Sequence, residues 1–180
     1  MIEHSHPKTQ KELRSTIKTY CNKYGWDSDL NWIDVSKITY MSGLFMNTQF
    51  NGNISEWDVS NVEDMTNMFS DSIFDQDISN WNTSKVTTMA FMFNNSNFEG
   101  NISNWNTRNV EYMTGMFKNS IFNGDISNWD TRNVEFAGHM FENSIFKGDL
   151  SKWDVRNMAF RTDIFKNCPL EKNPPKWYHE

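Results

Sequence analysis

Tryptophan recurs at positions 57, 81, 105, 129, 153 and 177, a constant step of 24 residues. Indoles aligned in this way could stack on sugar rings or grip the apolar side chains of a partner. They could equally stack on one another and close a core, and the near-invariance of the column favours that use. A polar column runs beside it: Asp29, Asn53, Asp77, Asn101, Asp125 and Asp149. Carboxylates stacked about 5 Å apart repel one another, so the adjacent Asp125 and Asp149 could share a proton or a cation. Calcium needs about six or more oxygen ligands, and no Asp-x-Asp-x-Asp-Gly loop is present. Asn and Ser ladders bonding between units are the favoured role, and no metal is expected. Thr83, Thr107 and Thr131 also align, as a water-ordering threonine face would. Val35, Val59 and Val155 share their column and point to a half-buried position.

Other chemistry is thinly supported. The histidines are His4, His6, His139 and His179, and three lie near the termini. His139 falls in a column with Gly43, Asn67, Phe91, Gly115 and Asp163, which reads as an exposed variable site. No HExxH, CxxC, P-loop or GxSxG pattern occurs, so no catalytic residue and no cofactor are expected. Arg108, Arg132 and Arg156 form a short column, but the chain carries 17 basic and 23 acidic side chains for a net charge of −6. Nucleic-acid affinity rests on many phosphate contacts, so a nucleic-acid partner is not expected.

The elements that must position these columns follow from the same period. Phe45, Phe69, Phe93, Phe117, Phe141 and Phe165 form one core column, and Phe50, Phe74, Phe98, Phe122 and Phe146 another. Ile54, Ile78, Ile102, Ile126 and Leu150, then Val62, Val86, Val110 and Val134, then Met68, Met92, Met116 and Met140 complete the apolar set. A fixed period in this range means stacked supersecondary units, none able to bury its apolar face alone. The Phe-x-Gly-Asp/Asn-Ile-Ser segment predicts a short strand pairing in parallel with its neighbours. Trp-Asp/Asn-Val/Thr-Ser-Asn is turn chemistry. Val-x-x-Met-x-x-Met-Phe has helical spacing, though a 3₁₀ segment or an irregular arc also fits. Gly52, Gly100, Gly124 and Gly148 share a place that Gln76 takes once, so close packing explains them better than a positive φ. The period reaches back to Trp26, Leu30 and Ile33, leaving Trp32 one place out of register.

The ends differ from the middle. Thr9-Gln-Lys-Glu12 is a capping-box pattern, and Leu13, Ile17, Tyr20 and Cys21 share one helical face, which predicts an amphipathic helix over roughly 9–24. Pro169, Pro174 and Pro175 stop edge growth at the other end. The expected organisation is therefore an N-terminal capping helix (1–25), a solenoid of 24-residue repeats (26–168) and a C-terminal cap (169–180). Cys21 and Cys168 lie at opposite ends and predict no internal disulfide. No export signal or lipid-attachment cysteine is visible and no apolar run reaches membrane-spanning length, so the sequence reads as cytoplasmic, without membrane insertion, and monomeric.

The unit Phe-Asn-Gly-Asp-Ile-Ser-Asn-Trp-Asp-Thr-Arg-Asn-Val at 122–134, followed by Met140-Phe141, resembles the repeat of the BspA-like leucine-rich-repeat surface proteins of bacteria, also described as the mycoplasma lipoprotein-type repeat (DUF285). The likeness covers roughly 26–177. It implies a leucine-rich-repeat-like solenoid and a binding role in adhesion or host contact, at the cell surface or secreted, with no catalytic residues. In such an arc the strands line the concave face. The variable side chains beside them form the expected binding face: Asn53, Glu56, Asp77, Asn80, Asn101, Asn104, Asp125, Asn128, Asp149 and Lys152. That surface is polar and acidic and suits a basic patch on a protein partner. A structural or self-assembling spacer, or a carbohydrate-binding module using the Trp column, are the alternative functions.

Overall fold

The computed structural model describes residues 5–179. The first four residues of the expected N-terminal cap and the final residue of the C-terminal one lie outside the described residues. Helix α1 spans Gln10–Tyr24. Thr9 is extended and its Oγ1 accepts the Glu12 N–H at 3.2 Å. The Glu12 carboxylate reaches back one residue further, to the Lys8 N–H at 2.7 Å. Both bonds satisfy amides left free at a helix start. Leu13, Ile17 and Cys21 are buried against the first unit. Burial, and secondarily Asp27, raises the Cys21 thiol to about 11. Both cysteines are free and buried.

The rest of the chain repeats one layout. Parallel bridges join Tyr40, Asp64, Thr88, Tyr112, Phe136 and Phe160 in order. This corrects the expected strand position: pairing falls two residues after each Val, not on the Phe-to-Ser segment. The reason is local. After each Ile, or Leu150 in the last, the chain turns, with the Trp N–H bonded to that residue's carbonyl at 3.2 Å in the five units from Trp57 to Trp153. An Asx side chain also takes the Ser N–H there. These bonds compete with a ladder.

The Val-x-x-Met-x-x-Met-Phe segment is not helical either. Among the described residues, α1 is joined only by a 3₁₀ turn at Pro169–Glu171. The segment is an irregular arc of i→i+3 turns, such as Met68 N–H to Met65 O at 3.1 Å. The third residue of this turn has positive φ in every unit: Gly43, Asn67, Phe91, Gly115, His139 and Asp163. That is type II chemistry, and it ends a helix before it starts. The His139 column is therefore not a freely exposed variable site. It is a left-handed backbone position, buried at Gly43 and Gly115 and half-buried elsewhere. A second left-handed column, Asn47, Asp71, Asn95, Asn119, Asn143 and Asn167, turns the chain at the end of the arc. Its side chains bond from unit to unit, as in Asn143 Nδ2 to Asn119 Oδ1 at 3.0 Å and Asn167 Nδ2 to Asn143 Oδ1 at 2.8 Å.

Side chains stack in register through the interior. The six Phe rings from Phe45 to Phe165 lie 5.6–6.0 Å apart, near parallel. The first five also stack on the Phe five residues on, as Phe45 does on Phe50 at 4.2 Å. The Trp column is core, with Trp57 to Trp153 no more than 5% exposed. Each indole N–H donates to the preceding unit's Leu or Ile carbonyl, from Trp57 to Leu30 O at 3.0 Å through to Trp177 and Leu150 O at 2.8 Å. Burying one such ring contributes about 1.5–3 kcal/mol, against about 0–1 kcal/mol for an exposed ion pair. Trp32, out of register, instead packs on Tyr20 of α1 at 4.8 Å. Thr83, Thr107 and Thr131 are fully buried, and each hydroxyl donates to a carbonyl of the next unit. The glycine column answers mainly to its own unit: a Cβ on Gly100 would lie 2.6 Å from the Phe98 ring. Only at Gly52 does a neighbouring unit crowd the site, with Ser28 O 1.9 Å from the added carbon.

If the left-handed asparagines carry the register, Asn119→Ala should be about 1–2 kcal/mol less stable than Asn119→Gly. Both lose the side-chain bond and only alanine strains the backbone, so paired urea melts read the backbone cost directly.

Candidate interaction surface

The ten side chains expected to form a binding face are all exposed. They do not flank the bridge ladder, which lies about half a unit away at Asp64, Thr88 and their equivalents. Five of the ten are committed to local structure. Asn53, Asp77, Asn101, Asp125 and Asp149 each accept the N–H of the Ser two residues on, at 3.1, 2.9, 3.0, 2.9 and 2.8 Å. The Ser79 hydroxyl and then its N–H hold Asp77 below its ordinary range. For Asp125 and Asp149 the Ser N–H comes first and the hydroxyl second. Between units this column bonds once, Asn53 Nδ2 to Asp29 Oδ2 at 3.3 Å. The expected ladders between units run elsewhere, through the left-handed asparagines and through Asn61, Asn109, Asn133 and Asn157, whose amides donate to carbonyls of the preceding unit. Among the other five, Lys152 Nζ reaches Asn128 Oδ1 at 3.4 Å.

The arginine column does not gather into an anion site. Arg132 turns back onto Asp130 at 2.8 Å and Arg156 onto Asp154 at 2.5 Å. The Arg156 guanidinium holds Asp154 at about 2. His139 sits in a charged cluster: its Nδ1 is 2.9 Å from Glu142 and 3.9 Å from Asp163, with Lys118 2.8 Å from the same Glu142 oxygen. The Nδ1 and Oε2 atoms are buried and close but not aligned as a hydrogen bond. Lys118 chiefly holds Glu142 below its ordinary range. Among the described residues no group of three His, Cys, Asp or Glu side chains is placed to hold a metal.

Sequence reasoning passed over the bridge column itself. Tyr112, Phe136 and Phe160 stack at 4.8 and 4.5 Å with ring planes within 11°. The end rings are open to solvent, Tyr112 at 40% and Phe160 at 58%. Exposed Glu111 and Glu135 precede two of the three rings. The signal was present: Tyr40, Asp64, Thr88, Tyr112, Phe136 and Phe160 fall in one 24-residue column, and a column mixing aromatics with Asp and Thr faces water. A stacked aromatic ridge edged by acids can hold an apolar side chain on its end faces and edges, and a cation beside it.

The family model described as "Mycoplasma protein of unknown function, DUF285" matches residues 14–97 and 74–177. The chain belongs to the DUF285 family. No curated protein and no solved structure matches it. This DUF285 chain has no helix, among its described residues, long and apolar enough to cross a membrane.

The Asx turns make a pH prediction. A carboxyl whose folded pKa lies below its unfolded value adds stability above that unfolded value and loses it as pH falls through the folded one. Asp77, Asp125 and Asp149 are all held below their ordinary range. Asp77→Asn/Asp125→Asn/Asp149→Asn keeps the acceptor, as Asn53 and Asn101 already do, and removes the charge. Its urea-melt stability should fall less steeply than the parent's between about pH 4 and pH 2.

Proposed function

We propose that this DUF285 chain is a non-enzymatic, leucine-rich-repeat-like solenoid that binds another protein through the Tyr112–Phe136–Phe160 ridge. The observation that carries the reading is a stack of three rings, exposed at Tyr112 and Phe160 and half-buried at Phe136, in a chain whose other aromatic columns are buried. Exposed contiguous apolar surface marks interaction sites, and aromatic anchors dominate binding energy at protein interfaces. Glu111 and Glu135, with the net charge of −6, suit a partner carrying Lys or Arg around an apolar anchor. Adhesion or host contact is the form of binding that the family likeness favours. Trp57 to Trp153 offer sugars no exposed ring face, which disfavours carbohydrate binding through that column.

The test compares two variants against a partner captured by the intact chain. Tyr112→Ser/Phe136→Ser/Phe160→Ser should weaken binding by about ten-fold or more. Asp77→Lys/Asp125→Lys/Asp149→Lys should change mainly the salt dependence. Loss of binding in the second variant alone would move the site to the acidic turn column. Unchanged affinity in both would reject the reading.

A further inference from the structure

The bonds between units run both ways at the bridge, where Glu63 N–H donates back to Thr39 O at 2.8 Å, but have one direction in the arc. In the arc that follows each bridge, amides point only toward the next unit and carbonyls only toward the preceding one. Met65, Asn67, Phe69 and Asp71 donate to Thr88, Ala90, Met92 and Asn94 at 2.9–3.0 Å, while Asp64, Thr66, Met68 and Ser70 accept from Met41, Gly43, Phe45 and Asn47 at 2.7–3.0 Å. The pattern repeats to the last pair, where Ala137, His139, Phe141 and Asn143 donate to Phe160, Thr162, Ile164 and Lys166. A run of this kind ends in two unlike edges. One offers acceptors, at Tyr40, Ser42, Leu44 and Met46. The other offers donors, at Arg161, Asp163, Phe165 and Asn167.

Each edge is answered at one of its four positions. At the acceptor edge α1 answers Ser42 O, through Gln10 Nε2 and through Arg14 Nη2 at 3.1 Å, and Arg14 Nη2 also bonds Gly43 O, inside the turn, at 2.9 Å. Among the described residues no donor meets the Tyr40, Leu44 or Met46 carbonyl. At the donor edge only the Asn167 N–H is answered, by the Glu171 carboxylate at 3.1 Å. Among the described residues no acceptor meets the N–H of Arg161, Asp163 or Phe165. An open groove of about 410 Å³ runs along Ala159, Arg161, Thr162 and Asp163 to Tyr178 and His179. The bridge column also ends in open rings, Tyr40 at 54% and Phe160 at 58% exposure.

We propose that the donor edge of one molecule takes the acceptor edge of a second copy, head to tail, once α1 of that copy has swung off Ser42 and Gly43 and segment 170–177 of the first has left the place beside Trp153 and Leu150 that the copy's residues 26–35 would take. Register decides the occupant. Continuing the internal step pairs Arg161 N–H with Tyr40 O, Asp163 with Ser42, Phe165 with Leu44 and Asn167 with Met46, and lays Tyr40 on Phe160 as Phe136 lies on it within the molecule. An ordinary strand presents amides and carbonyls alternately along one edge, so it leaves part of this donor edge unmatched. The acceptor edge of the same repeat matches throughout. The contact is heterologous and does not close on itself, so it grows chains rather than a dimer. With α1 seated on Ser42 and Trp177 seated on Trp153 the protein stays single, so the two end segments restrain assembly, α1 on the acceptor side.

Tyr40→Cys and Phe160→Cys, made separately in full-length Cys21→Ala/Cys168→Ala protein, read the contact by position. Bridged partners of a parallel ladder fall within the Cα separation of about 4.4–6.8 Å that a disulfide spans. The Tyr40→Cys protein also carries Gln10→Glu/Arg14→Glu, which sets carboxylates against the carbonyls that α1 now satisfies. On mild oxidation of the mixture, the 40–160 heterodimer should exceed either homodimer at least ten-fold, and should drop when Gln10 and Arg14 are restored. A statistical mixture of the three dimers, or a heterodimer yield indifferent to Gln10 and Arg14, overturns the proposal. Should the doubly charged variant fail to fold, the same ratio is read on Arg14→Ala, which keeps Gln10 and the apolar face of α1. A statistical pattern there overturns it equally.

Discussion

Each unit gives its arc amides to the unit after it and takes the amides of the unit before it, and the rest of the structure depends on that one-way exchange. Ordinary strand pairing would place donors and acceptors on both edges. Here the left-handed residue in each turn rotates the peptide planes so that the arc's bonds run along one direction. A unit alone could satisfy neither edge, and its Phe and Trp rings would have water on both faces. The fold is therefore cooperative between units before it is stable within any one of them.

The exchange forces like onto like. Once each arc amide bonds the carbonyl 23 places on, as Met65 does Thr88, residues 24 places apart lie side by side and every side chain faces its own column. Flat rings gain from this, as the near-parallel Phe and Trp stacks show. Asparagine gains too, because its amide both donates and accepts. Carboxylates lose by it, and the chain handles them by local capture: Asp77, Asp125 and Asp149 bond the serine two residues on, and Asp130 and Asp154 hold their own arginines. The buried threonines and indoles supply further donors that tie one unit to its neighbour.

The same constraint makes the ends chemically different. A one-way run must finish with bare acceptors at one side and bare donors at the other. Helix α1 answers one of the bare acceptors, Ser42 O, with Gln10 and Arg14, and lays Leu13, Ile17 and Cys21 over the open core. The C-terminal segment covers a different half of its unit: Trp177 continues the indole column at 6.4 Å from Trp153, and Tyr178 sets its edge against Phe165. The bridge half, with Phe160 and the amides of Arg161 and Asp163, stays open. Binding through the ridge and pairing through the donor edge would both use that side of the molecule.

What the sequence determined by itself was the period, the membership of each column and the capping helix. All three rest on residue type alone: Phe, Trp, Ile and Met repeat where a core repeats, and Thr9, Glu12, Leu13, Ile17 and Cys21 mark a helix by spacing. Tertiary structure decided where the backbone pairs and which face is free. The Val-x-x-Met pattern has helical spacing, yet Asn67, Phe91 and His139 adopt left-handed φ because bonds to the next unit outweigh the local preference of any one residue. The Asp77 column looked like a binding face because its side chains are polar and variable, but whether an exposed carboxylate is spare or already capping a turn depends on backbone it meets only after folding. The bridge column was visible as Tyr40, Asp64, Thr88, Tyr112, Phe136 and Phe160. Its exposure was not, because a phenylalanine repeated at the core's own period is told apart from the core only by the direction its Cβ takes.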